Sequence, residues 1–219
     1  MIFQVILFIL PWNIRKFILK KMLGFSLGPQ SRIGFSVVKA RKVHLADGAS
    51  IGHGNIIKGL EELSLGVNAI IGNGNWISAN PLKCEPHYIG EVDRYPALIL
   101  EDEAAITARH SFDCTNKVSI GRFSIIGGWS STFLTHAIDL YESKQSSKAI
   151  IIGDYCFVGT GVIVTKGAIL PNFSVLAAGS CLTSNYSQQW TLYGGVPARE
   201  VKGIDRAAAY FRRERGFVV

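Results

Sequence analysis

The sequence predicts an all-β solenoid, and three observations over Ile150–Leu182 predict it. An aliphatic residue recurs at every sixth position: Ile152, Val158, Val164, Leu170, Leu176 and Leu182. Two residues before each stands a second apolar or small residue, namely Ile150, Cys156, Val162, Ala168, Ser174 and Ser180. One residue after each comes a small or turn-prone one: Gly153, Gly159, Thr165, Pro171, Ala177 and Thr183. A helix repeats its apolar positions at three and four, and an isolated strand alternates at two. A period of six with an inward pair therefore reads as short strands, broken by tight turns and stacked in coils.

The same ruler runs through most of the chain. It starts weakly at Ile33, then gives the inward pairs Val43/Leu45, Ala49/Ile51 and Asn55/Ile57. The register slips around Lys58-Gly59-Leu60 and resumes as Leu63/Leu65, Ala69/Ile71 and Asn75/Ile77. Glycines after the aliphatic positions (Gly52, Gly66 and Gly72) suit corners where the backbone needs positive φ. Residues 79–97 keep no period and hold three prolines, so they read as a loop expelled from the solenoid. The spacing then predicts the pairs Ile106/Ala108, Phe112/Cys114, Val118/Ile120, Ser124/Ile126 and Ser130/Thr132. The next pair would begin at His136, but the repeat stops there and residues 137–149 form a second loop.

The two ends differ from the coil. MIFQVILFIL, Pro11-Trp12 and NIRKFILKKML are too interrupted for a spanning helix, which needs about 20 apolar residues. The order of charge and apolar residues does not match a secretory leader either. A helical cap with an apolar face on the first coil is the expectation, and Arg15, Lys16, Lys20 and Lys21 add attachment at a membrane surface as a second reading. At the other end, Asp205 is expected to cap a helix over RAAAYFRRERG.

Composition narrows the function. A chain of 219 residues with a formal net charge of +7 suggests anionic ligands or acidic lipid surfaces. Its basic residues are not interleaved with aromatics in a stripe, so nucleic acid is not an expected partner. Cys84, Cys114, Cys156 and Cys181 form no close pair, and Cys114 and Cys156 fall on inward positions as small buried hydrophobes of a reducing compartment.

The unbroken hexapeptides, together with LTH, IIIGDYCFVGTG, LAAGS and YGGVPAREVK, resemble the hexapeptide-repeat acyltransferases. Within that superfamily they are most similar to the galactoside and maltose O-acetyltransferases and to polysaccharide-modifying O-acetyltransferases. The resemblance implies a left-handed parallel β-helix with a short N-terminal helical segment and a C-terminal helical tail. It divides the chain into a cap over 1–30, a β-helix over 31–187, and a cofactor-binding loop and helix over 188–219. It also implies a homotrimer that takes acetyl-CoA as co-substrate.

Site residues follow from the same resemblance. His136 matches the catalytic histidine, and an imidazole that titrates near working pH can take a proton from an acceptor hydroxyl. By its nearness, Asp139, three residues on, is a residue to orient the ring, with a solvent-exposed loop carboxylate as the other reading. Thr160 matches the position whose backbone N–H meets the developing oxyanion, a donor worth about 3 kcal/mol in such reactions. Phe157, Gly159, Ala178, Gly179, Thr183, Ser184, Pro197, Arg199 and Lys202 match the cofactor groove, with Arg199 and Lys202 suited to phosphates. Many relatives carry Lys where Ser184 stands, so Lys166 or the Arg212–Arg215 cluster would have to replace that cation. His110, expected to point outward, and Asp113 and Asn116 are the acceptor-binding candidates.

No metal is expected. The γ-type carbonic anhydrases resemble one another in a His-x4-His pair, but five residues after His136 stands Tyr141, and five after His110 stands Thr115. The resulting expectation is an acetyl-CoA-dependent O-acetyltransferase acting on a sugar hydroxyl in capsule, lipopolysaccharide or exopolysaccharide assembly, cytoplasmic or peripheral at the inner membrane face. An N-acyltransferase on a nucleotide-linked amino sugar and a non-catalytic scaffold are the alternatives.

Overall fold

In the computed structural model, which describes residues 2–82, 87–88, 90–216 and 218, the chain winds into a parallel β-helix with three strand faces. Cys84 lies outside the described residues. On the first face the buried column runs Leu27, Leu45, Leu65, Leu100, Ile120, Ile152, Leu170. The second face stacks Ile33, Ile51, Ile71, Ile106, Ile126, Val158, Leu176 and Tyr193. The third stacks Val38, Ile57, Ile77, Phe112, Phe133, Val164 and Leu182. Every one of these side chains is buried, so the ruler in the sequence is the lining of the coil. Gly52, Gly66 and Gly72 do not take the positive φ expected of them; they are needed because corners bring backbone close to backbone, and a Cβ on Gly72 would meet the Thr107 carbonyl oxygen at 2.1 Å.

Two corners keep a left-handed residue in coil after coil. At the corner between the first and second faces these include Phe123, Tyr155, Phe173 and Trp190, with φ of 58, 53, 57 and 58°. Bulky residues rarely adopt that conformation. Here the four rings stack on one another at centroid distances of 4.7, 5.5 and 4.4 Å, and that stacking offsets the backbone cost.

The corner between the second and third faces buries a polar ladder. Asn55 N–H donates to Ser36 Oγ at 2.9 Å, Asn75 N–H to Asn55 Oδ1 at 2.8 Å, and His110 N–H to Asn75 Oδ1 at 2.9 Å. Ser131 N–H donates to His110 Nδ1 at 3.2 Å and Val162 N–H to Ser131 Oγ at 3.3 Å. Each inward polar side chain thus accepts a backbone N–H from the coil above it, which is why polar residues stand at inward positions without penalty.

The third corner, between the third and first faces, absorbs the irregularity. The predicted pairs Ile106/Ala108 and Phe112/Cys114 are in fact Ala104/Ile106 and His110/Phe112, because Ile106 and Phe112 pair with the second member of the coils on either side. The register is recovered at Val118/Ile120 by two extra residues at this corner, in the segment 113–117. Two extra residues also leave between Ile57 and Leu65. Both long loops, over 79–97 and 137–149, leave here as well, and the second is partly an antiparallel ribbon of His136–Asp139 on Lys144–Ser147. The predicted Ser130/Thr132 is Ser131/Phe133, moved by one residue at the Gly127-Gly128 turn.

The ends depart from expectation in part. Helices α1 (Ile2–Ile6) and α2 (Trp12–Leu23) cover the first coil. Gln4 brackets Val38, donating from Nε2 to its carbonyl at 2.6 Å and accepting its N–H at 2.8 Å, which closes an exposed strand edge. At the far end, Thr191–Gly195 and Ala198–Gly203 form an antiparallel hairpin on the second face. The expected terminal helix is a single 3-10 turn over Ala209–Arg212. Adjacent aromatics explain this: Tyr210 Oη donates to the Cys156 carbonyl at 2.9 Å while Phe211 packs on Phe173 and Trp190. A continuous helix would not present both of those neighbours to the coil.

Replacing Asn75 by Ala removes the acceptor of the buried His110 N–H and one donor each from Asn55 Oδ1 and the Thr107 carbonyl. Urea unfolding is expected to show a loss of about 1–3 kcal/mol. An unchanged midpoint would mean that the ladder carries no stability.

Candidate functional site

The third corner places His136 where the coil opens. Strand Thr132–Leu134 lies in register beside Ser111–Asp113, with Asp113 opposite Leu134. Two residues later the ring of His136 swings back over that neighbour, and its Nδ1 lies 2.6 Å from Asp113 Oδ2. The side chains are 33% and 16% exposed, so the pair is open to a ligand yet shielded from bulk water.

Asp113 is prepared to be an anion. Its Oδ1 accepts from Thr115 N–H at 3.1 Å and from the Thr115 hydroxyl at 2.6 Å. Its Oδ2 accepts from Thr135 N–H at 3.0 Å, in addition to the His136 ring. Burial alone would raise its pKa, but the donors from His136 and Thr115 outweigh burial and hold it below the usual carboxylate value. His136 responds in the opposite sense. Its hydrogen bond to Asp113 raises its pKa, against burial and the nearby charge of Lys166. Among the described residues, the only hydrogen bond of the ring is through Nδ1, which leaves the Nε2 position without a protein partner.

The loops wall this dyad. Tyr88 meets the His136 ring edge-on at 6.2 Å and carries the Arg94 guanidinium over its face at 4.3 Å. Arg94 is buried and donates to the carbonyls of Asn80 at 2.6 Å and Pro81 at 2.8 Å, so a cation inside the 79–97 loop organises its backbone. Glu91 then ties the two loops together by accepting from Ser147 N–H at 2.9 Å and the Ser147 hydroxyl at 3.0 Å. From the next coil, Lys166 donates to Ser146.

The other sequence-predicted residues distribute as follows. Asp139 does not reach the ring; its Oδ1 accepts the N–H groups of Tyr141 and Glu142 and closes the ribbon turn. The orienting carboxylate is Asp113, which the sequence reading placed with the acceptor site. Asn116 is buried, with Nδ2 donating to Ser147 Oγ at 3.1 Å and Oδ1 accepting from Lys117 N–H at 2.7 Å, so its amide is used to anchor loops. His110 faces inward, not outward, and burial lowers its pKa to about 4. Thr183 and Ser184 lie on the same corner as His136, beyond Lys166, and are exposed.

Thr160 stands elsewhere. It follows the second-face strand Phe157–Val158, at the corner between the second and third faces, where its hydroxyl donates to the Trp129 carbonyl at 2.9 Å. Gly159 is buried behind it, and Ala178 and Gly179 continue that corner one coil on. Phe157 lines a groove of about 720 Å³ along the second face, and its ring meets that of Tyr210 edge-on at 6.0 Å. Pro197, Arg199 and Lys202 are exposed on the terminal hairpin. One chain therefore does not bring His136 and Thr160 to a common corner. Among the described residues, no cluster of His, Cys, Asp or Glu is arranged to hold a metal ion.

No model of a known protein family matches the chain, and none of the curated proteins matches it. Solved structures do. A hexapeptide-repeat acetyltransferase of Vibrio cholerae O1 biovar eltor, complexed with acetyl coenzyme A, is 23% identical over 64% of this chain and 70% of that one, with a TM-score of 0.52. A single-residue mutant of AntD, an N-acyltransferase from Bacillus cereus, in complex with dTDP-4-amino-4,6-dideoxyglucose and coenzyme A, is 16% identical over 87% of this chain and 89% of that one, with a TM-score of 0.56. The polysialic acid O-acetyltransferase OatWY is 16% identical over 85% and 90% of the respective chains, with a TM-score of 0.54. The fold is that of the hexapeptide-repeat acyltransferases. At these identities the likeness is one of architecture, and the chemistry rests on the chain's own residues.

Thr115 and Thr135, and the role of Asp113 beside His136, were not found in the sequence. Asp113 and Thr115 lie in the two-residue excess between Phe112 and Val118, which a strict count of sixes would have exposed, while Thr135 joins them only through the neighbouring coil. A proton NMR titration is expected to show His136 titrating above the ordinary histidine value, with His110 neutral over about pH 5 to 8. Replacing Asp113 by Asn is expected to lower the His136 midpoint and leave His110 silent.

Proposed function

We propose that this chain is an acetyl-CoA-dependent O-acetyltransferase that acylates a sugar hydroxyl during surface-polysaccharide assembly. The observation that carries the reading is the 2.6 Å contact between His136 Nδ1 and an ionised, multiply hydrogen-bonded Asp113 at the break in the coil. The carboxylate keeps a proton on Nδ1 and leaves the Nε2 lone pair as the base. Nε2 takes the acceptor's hydroxyl proton as the oxygen attacks the thioester carbonyl. The tetrahedral intermediate then collapses to the new ester, the C–S bond breaks, and the leaving CoA thiolate recovers the proton from the imidazolium. No covalent enzyme intermediate is needed. Cys114 and Cys156 are buried, and burial pushes the Cys156 thiol up to about 12, far from a reactive thiolate.

The separation of His136 and Thr160 supports a homotrimer in which a neighbouring copy supplies the oxyanion N–H and the pantetheine wall at Phe157, Gly159, Ala178 and Gly179. In that assembly, wound left-handed as the resemblance implies, Arg199 and Lys202 hold phosphates, with Thr183, Ser184 and Pro197 along the path. Exposed cations on a hairpin fit phosphate oxygens. Work at the inner face of a membrane, on the cytoplasmic side, fits such an acceptor. The fold shared with AntD makes an amino group on a nucleotide-linked sugar the second acceptor to test.

Replacing His136 by Ala is expected to lower kcat by roughly 10² to 10⁴ with little change in the KM for acetyl-CoA. Unchanged turnover would make the chain a scaffold or move the chemistry elsewhere. In the parent enzyme, kcat/KM falls as pH drops through the raised pKa of His136, because the protonated ring cannot act as base. Asp113→Asn is expected to move that acid limb to lower pH while reducing the plateau rate. A panel of free sugars, nucleotide-linked amino sugars and lipid-linked oligosaccharides separates O- from N-transfer, and light scattering that shows a monomer would sink the shared groove.

A further inference from the structure

We propose that the N-terminal end of the coil docks on the surface of an anionic lipid bilayer. The charge of the chain is segregated. Residues 1–46 contain eight Lys and Arg and no Asp or Glu, and the first carboxylate is Asp47. The rest of the chain holds fifteen Lys and Arg against sixteen Asp and Glu, so all of the net positive charge belongs to the cap, the first coil and the start of the second.

The same end carries an unpartnered apolar surface. Helix α2 is apolar on two sides: one buries Leu19 and packs Trp12 and Ile18 against the coil. On the other, Ile14, Phe17 and Lys21 stand in line, with Lys20 beside them, and all four are exposed. Phe17 is 62% exposed, and Ile2 and Ile9 in the preceding segment are 80% and 84% exposed.

This orientation is fixed. The Arg15 guanidinium lies 5.0 Å from the Trp12 ring and 5.7 Å from those of Phe8 and Phe35, and donates to the Gly34 carbonyl at 3.1 Å. Lys16 donates to the carbonyls of Gly28 and Pro29 at 2.5 and 2.7 Å. With those two residues spent on holding the helix, it cannot roll to bury Ile14 and Phe17.

The occupant must accept apolar side chains and supply negative charge. A second copy meeting through the same face would bring one acid-free cap against another, which like charges disfavour. A bilayer with anionic headgroups satisfies both demands, with apolar side chains at the acyl boundary and lysines among the phosphates. No helix among the described residues is long and apolar enough to cross a membrane, so the contact is one of lying on the surface.

Co-sedimentation of the full chain with phosphatidylcholine vesicles, with and without phosphatidylglycerol, tests this. Binding is expected to the anionic vesicles alone and to weaken with added salt. The double substitution Lys20→Gln/Lys21→Gln is expected to weaken partitioning roughly thirtyfold, about 2 kcal/mol for two surface lysines. Ile14→Ser/Phe17→Ser is expected to abolish it with the thermal midpoint retained, because both side chains are exposed. Equal binding to neutral vesicles, no binding to either, or indifference to the substitutions overturns the proposal. So does light scattering in which Ile14→Ser/Phe17→Ser dissociates an oligomer, since the face would then belong to a second copy.

Discussion

A coil that stacks on itself must keep one perimeter. Each turn has to return its buried residue directly over the one below, since the parallel hydrogen bonds and the core columns both require it. A surplus residue therefore cannot be shared along the strands and has to leave at a corner. In this chain two corners stay tight, held by stacked aromatics on one side and by a buried Ser, Asn and His ladder on the other. The third corner expels the larger surpluses, beyond the single residue taken up at Gly127-Gly128, and it alone has room for loops, for a half-exposed histidine and for a carboxylate beneath it. The perimeter constraint thus selects where chemistry can be built.

The two histidines of the middle coils show how far placement decides role. His110 is enclosed in the ladder, its ring accepting from Ser131 N–H, and burial keeps it neutral. His136 lies one coil further along the chain at the open corner, where Asp113 favours the charged ring. Shifts in opposite directions agree with His110 as a structural residue and with His136 as the base proposed above. Asp113 itself is costly: a partly buried carboxylate is tolerated because Thr115, Thr135 and His136 together satisfy its oxygens. That investment stabilises little that a leucine could not, and makes sense as orientation of the ring.

Periodicity made most of the core legible. Every inward pair from Ile150 to Leu182 occupies the position that the count of six assigns to it, because nothing interrupts the perimeter there. Legibility failed where residues were added. The pairs around Ile106 and Phe112 were displaced by two, since Ala104 and Ala108 are equally small and hydropathy cannot choose between them. The same ambiguity hid Asp113, which a strand register places beside Leu134 and thus under His136, whereas nearness in sequence favoured Asp139. His110 looked outward for the same reason. The terminal helix was misread because helix propensity in RAAAYFRRERG is local, while the anchors of Tyr210 and Phe211 lie on the coil.

The distribution of function along the axis follows from the rise of the coil. Parallel strands stack at about 4.8 Å, so the break at His136, four coils beyond Val38, stands roughly 20 Å from the N-terminal cap. The acid-free surface and the dyad are consequently separate devices, and neither shares a residue with the other. With the cap on a bilayer, an acceptor at the dyad would be a group held well clear of the lipid headgroups. A glycan growing outward from a membrane carrier meets that demand, whereas the headgroup itself does not. The rigid coil between the two ends would set the distance at which such a chain is met.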